Sequence, residues 1–124
     1  MERVKWSMTL LWSKDDLFYV CSMIEFVARK MHNKCKNIVM SLSDKVLLHQ
    51  IKAAIINHCL SFEQVCDEWV EDYEILEGTF DNITTCRYTV PSVTSIGRIY
   101  QTLILAVMEQ YEDVVEAIRI RIIY

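Results

Sequence analysis

LSDKVLLHQIKAAIINHCLSFEQVCDEWVEDYEILEG, residues 42–78, is the stretch whose reading decides the fold. Ser43 and Asp44 supply a helix start, and Val46, Leu47, Leu48, Ile51, Ala54, Ile55 and Cys59 recur at helical spacing, a stripe that a helix ending near Asn57 or His58 would bury. Leu60 is then a connector. Ser61 with Gln64 has the spacing of a capping box, and Leu60 with Val65 that of a hydrophobic staple. Phe62, Val65, Cys66, Trp69, Val70 and Tyr73 form the apolar face of a second helix, which Gly78 is expected to end as a C′ residue. Two amphipathic helices and a short link set the class as mainly α.

The flanks extend that reading. Ser13 and Asp16 form a variant capping box for a helix running to about Met31, with Leu17, Phe18, Val20, Cys21, Ile24, Val27 and Ala28 on its stripe. Asn33 is placed to cap a short helix over residues 34–42, with Cys35, Ile38, Val39 and Leu42 inward. Periodicity lapses over residues 79–91, and Pro91 keeps Val90 extended. A long C-terminal helix follows from Ser92, its stripe running from Val93 through Ile104 and Tyr111 to Ile118, with Gly97 allowing close helix packing.

Both ends also alternate with period two. Val4, Trp6, Met8, Leu10 and Trp12 read as an extended arm or edge strand, or else as a first helical turn. The tail Ile118-Arg119-Ile120-Arg121-Ile122-Ile123 fits a strand at least as well as a helix. The expected architecture is a single domain over residues 1–124. It is an all-α bundle of about five helices, with a short two-stranded β element if the termini pair, within one chain or across a homo-oligomer.

Composition agrees. The 124 residues are 52% apolar with two glycines and one proline, too little punctuation for a β-sandwich. Five cysteines, an odd number at loose spacing and without a signal-peptide pattern, suggest reduced thiols in a cytoplasmic protein. The longest apolar run near the end, Leu103 to Met108, is too short to span a bilayer, so no membrane partner is expected.

Charge is divided unevenly. Residues 1–60 hold nine Lys/Arg against five Asp/Glu, and residues 61–124 hold four against twelve. In the basic half Arg29, Lys30, Lys34 and Lys36 cluster, a solvated helix end or a contact surface for an anion or nucleic acid. In the acidic half Glu63, Asp67, Glu68, Glu71 and Glu74 stand without a nearby Lys or Arg in sequence. Glu63, Asp67, Glu71 and Glu74 follow at spacings of four, four and three, so one side of the helix carries mutually repelling charges. Such a face keeps a protein soluble, and it can equally steer a protein partner with a basic surface. On that reading, reversing the charges abolishes partner capture while the melting temperature holds.

Chemistry is otherwise sparse. His58, Cys59 and Cys66 match no zinc spacing, so no metal is expected. The chain has no phosphate-cradling, dinucleotide, metalloprotease or nucleophile-elbow motif, and therefore no expected cofactor or catalytic residues. An enzyme would need a polar cleft around His58 or the acidic face. DNA binding, the alternative to partner docking, would use the basic half from Arg29 to Lys52. It is disfavoured by the acidic total and by a would-be recognition helix offering only Lys45, His49, Gln50 and Lys52.

The run His58-Cys59-Leu60-Ser61-Phe62-Glu63-Gln64-Val65-Cys66-Asp67-Glu68, with Tyr73, Glu77-Gly78-Thr79-Phe80-Asp81, Val90-Pro91-Ser92 and Ile96-Gly97-Arg98-Ile99-Tyr100, resembles a family of short uncharacterised bacterial proteins. The earlier Tyr19, Ile24-Glu25 and Ala28-Arg29-Lys30 fit the same pattern, which spans roughly residues 15–105. The family looks associated with toxin–antitoxin modules. The resemblance implies an antitoxin-like or accessory interaction protein, and it carries over no catalytic residue.

Overall fold

Helix α1, Lys14–Lys30, is the axis on which the other elements pack. Ser13 and Asp16 close the capping box at its start, each side chain bonded to the other's backbone N–H. The helix is buried on nearly all sides, every residue from Val20 to Glu25 included, as a central helix must be. The computed structural model describes residues 12–81 and 89–124, which form six helices and no strand.

After α1 come α2 (Cys35–Met40), α3 (Asp44–Asn57), α4 (Phe62–Asp72), α5 (Val93–Val107) and α6 (Val114–Ile122). Helix α1 packs against α2, α3, α4 and most extensively α5, while α6 closes over α5, α2 and α3. The two helices of residues 42–78 thus form, with the Ser61–Gln64 capping box at the link, but both rest on α1 rather than chiefly on each other. Their direct tie is polar: Gln50 of α3, itself accepting from Asn57 within the same helix, donates to the hydroxyl of Tyr73 at the end of α4.

Helices α1 and α5 run antiparallel. Arg29 reaches the carbonyl oxygen of Pro91 at 2.7 Å, Ser22 meets Gly97, and Gln101 donates to the carbonyl oxygen of Lys14 at 2.8 Å. Gly97 lets the two backbones close. A Cβ there would stand 2.9 Å from the backbone nitrogen of Ser22 and 3.0 Å from its Cα.

Several expectations need correction. The tail is not a strand: Asp113 caps α6 by accepting from Val115 and Glu116, and Ile118 and Ile122 are buried in the core. Its period-two look comes from Arg119, which turns partly inward to Asp44 and to the carbonyl oxygens of Val39 and Leu42. Nor is the C-terminal helix continuous. It breaks between Val107 and Val114, because α6 must fold back to bury Val114, Val115 and Ala117. The N-terminal arm, residues 1–11, and the middle of the 79–91 loop, residues 82–88, lie outside the described residues. Trp12 is buried at the edge of the core.

Helix ends differ in detail. The N-cap of α2 is Lys34, which makes no side-chain cap bond, and not Asn33, which instead bonds the carbonyl oxygens of Met31 and Leu76. Helix α4 ends at Asp72, not near Gly78. Glu74 takes the left-handed conformation at φ 52° and the Ile75 N–H returns to the carbonyl oxygen of Val70, a Schellman closure. His32, at φ 54°, closes α1 in the same way through Asn33 N–H to the carbonyl oxygen of Ala28.

Candidate functional site

The rotation of α4 decides which carboxylates face solvent. Phe62 wedges edge-on between Tyr19 and Phe26, with ring centroids at 5.6 and 5.4 Å, and Val65, Cys66 and Trp69 are buried behind it. With that face pinned, Glu63, Asp67, Glu68, Glu71 and Asp72 are all left exposed.

The segment after α4 then turns back against the end of α1. Gly78 N–H donates to the carbonyl oxygen of Met31 at 2.8 Å and Phe80 N–H to that of His32 at 2.9 Å. Gly78 is required by proximity: a Cβ would lie 2.6 Å from the carbonyl oxygen of His32. This stitch brings Glu77 beside α4 and within 3.7 Å of His32.

The result is a cleft of about 330 Å³ lined by Lys30, Met31, Cys66, Asp67, Val70, Glu71 and Glu77. Its apolar lining is Met31, Val70 and the buried Cys66; its polar lining is three carboxylates and one ammonium. Lys30 binds Glu63 at 3.1 Å, and that hydrogen bond, reinforced by the Glu63 charge, holds the ammonium above its ordinary pKa. Burial, with the charges of Asp67 and Glu63, pushes the Cys66 thiol up to about 11, so it is protonated and unreactive near neutrality. Asp67, Glu68, Glu71 and Asp72 make no ion pair with any described residue. Such a cleft can seat a cationic side chain, its stem on Met31 and Val70 and its head among carboxylates.

The acidic residues of the sequence reading are therefore only partly gathered. Asp67 and Glu71 line the cleft, and Glu63 borders it, already paired. Glu68 lies toward Tyr19, whose phenol is raised to about 12 by burial and then by the Glu68 charge. Glu74 has left the helix and its row. Glu77, Met31 and Val70 join the site with no spacing signal of their own, because Gly78's closeness to His32, which places Glu77, is a tertiary fact.

The basic cluster does not act as a unit. Arg29 is spent on Glu25, at 2.7 Å, and on Pro91. Lys30 faces the carboxylates, Lys34 stacks over the Phe80 ring at 5.3 Å, and Lys36 is exposed. On α3, Lys45, His49 and Lys52 are exposed, whereas Gln50 is buried and bonded internally, which leaves a DNA-reading helix one contact fewer.

Among the described residues no group of three or more His, Cys, Asp or Glu is placed to hold a metal ion, and no helix is long and apolar enough to cross a membrane. Comparison with known proteins found no matching family model, no similar curated protein and no similar solved structure.

Proposed function

We propose that this protein is a non-enzymatic interaction module that docks a basic protein surface through the α4–α1 cleft. One observation carries the reading: Asp67 and Glu71 stand one helical turn apart, exposed and in no ion pair, beside Glu77 and above an apolar floor, while Lys30, the one cation among the described residues of the lining, is bonded to Glu63. Carboxylates four apart repel each other by a few tenths of a kcal/mol. Lys30 feels the Asp67 charge but pairs with Glu63, and an incoming Lys or Arg would relieve the repulsion left between Asp67 and Glu71. Electrostatic steering by the acidic face speeds the encounter. An antitoxin-like or accessory role beside a toxin is the setting suggested by the motif resemblance, which is its sole support.

Glu71→Lys separates docking from folding. The new lysine pairs with Asp67 in the favourable order and sits in the last turn of α4, where a cation suits the helix dipole. Stability should rise by about 0.5–1 kcal/mol. Affinity for a hexa-arginine amide peptide, measured by calorimetry at low salt, should fall severalfold. Unchanged affinity would remove the cleft from the docking surface.

A further inference from the structure

A second concavity lies on another flank of α1 and has a different character. It is a groove of about 450 Å³ bounded by the start of α1, the end of α3, Phe62 of α4 and the start of α5. That volume is within the range of small-molecule sites, which combine an apolar body with a few placed polar groups. The apolar wall is built from Phe18, Tyr19, Phe62, Ala54 and Ile55. Tyr19 is fixed in place by its hydroxyl, which donates to the carbonyl oxygen of Asn57 at 3.2 Å.

One polar feature of the groove lacks its complement. Ser22 contributes to the floor, but its buried hydroxyl lies against Gly97 in the α1–α5 crossing and is out of a ligand's reach. Asp15, exposed at the mouth, makes no ion pair with any described residue. Beside it, Asp16 has one carboxylate oxygen occupied by Ser13 N–H at 2.8 Å. His58 is the one potentially cationic group among the described residues of the lining. Arg98 is not part of the lining, but its guanidinium stacks 3.9 Å from the centroid of Phe18, so that ring is already engaged by a cation. The aromatic surface left over belongs to Tyr19 and Phe62.

Aromatic faces and edges with adjacent carboxylates recognise ammonium groups, by ring quadrupole and by charge-assisted hydrogen bonds. We propose that this groove binds a small organic ammonium bearing an aromatic or branched apolar body. The body packs on Tyr19, Phe62 and Ile55, and the ammonium meets Asp15. The site is independent of the docking cleft, and neither proposal requires the other.

The test is a titration of the full chain with 2-phenylethylammonium, followed residue by residue in ¹H–¹⁵N spectra, with 2-phenylethanol and 3-phenylpropionate as matched probes. The amine should give saturable shifts at Tyr19, Ser22, Ala54, His58 and Thr94 below about 10 mM, as expected for so small a ligand. The alcohol should bind about tenfold more weakly and the acid not measurably, because each lacks the charge-assisted contact. Asp15→Asn, an exposed change that leaves the fold intact, should weaken the amine about tenfold. Absence of saturable shifts, equal binding of amine and alcohol, or indifference to Asp15→Asn would each overturn the proposal. Tighter binding of the blocked dipeptide Ac-Phe-Lys-NH2 than of the free amine would also overturn it, marking the groove as a peptide anchor.

Discussion

Gly97→Val is expected to destabilise the fold by about 3 kcal/mol, read as a shift of the urea midpoint with an unchanged slope. Helix propensity alone predicts the opposite sign, because glycine is worse than valine inside a helix by a few tenths of a kcal/mol. The crossing of α1 and α5 outweighs it. An added Cβ meets the backbone nitrogen and Cα of Ser22 at 2.9 and 3.0 Å, and main chain in the central helix cannot swing aside as a side-chain tip could. Ser22→Ala removes the hydroxyl that the Cβ also strikes, so combining it with Gly97→Val should recover only part of the loss. A change within about 0.5 kcal/mol of wild type would mean that α5 does not pack on α1 at this residue.

Arg29→Met should cost about 3 kcal/mol, and Glu25→Leu combined with Arg29→Met should cost much less than the two single changes together. Glu25 is 8% exposed and bonded to Arg29 at 2.7 Å, while the Cys35 thiol donates to its other oxygen at 3.0 Å. Burial and then the Glu25 charge drive the Cys35 thiol far above its ordinary value, so Cys35 remains a neutral donor. Removing the guanidinium leaves a carboxylate in a largely water-excluded place with one weak thiol partner. It also frees the carbonyl of Pro91, where the chain enters α5. Removing both charges leaves an apolar contact of similar volume. Additive losses in the double-mutant cycle would contradict the pairing.

The legible parts of the fold were those written within a few residues. The bonds of Ser13 with Asp16 and Ser61 with Gln64 each span three positions, so their spacing fixed two helix starts. The misread parts depend on distant partners. Arg119 looked like the polar half of a strand because its carbonyl and carboxylate partners lie 75 to 80 residues away. The break before Asp113 contains no glycine or proline, and its cause is the burial of Val114 and Val115, which is settled only when α6 meets α2 and α3. Within the acidic row, spacing placed Glu74 in register with Glu71, but a left-handed Glu74 ends α4 first. Arg29 shows the same limit: its neighbours in sequence suggested an exposed basic cluster, while its partner Pro91 is 62 residues on.

The docking claim is tested most directly by mapping where a cationic probe sits on the intact protein. Hexa-arginine amide would be titrated at about 0.05 M salt, where surface attraction still reaches beyond 10 Å, and again at about 0.5 M. Backbone shifts should concentrate at Lys30, Met31, Asp67, Val70, Glu71 and Glu77 and collapse at the higher salt. Shifts spread equally over the other exposed carboxylates, such as Glu109, Glu112 and Glu116, would contradict the claim, because the α4–α1 cleft would then be only one part of a general negative surface.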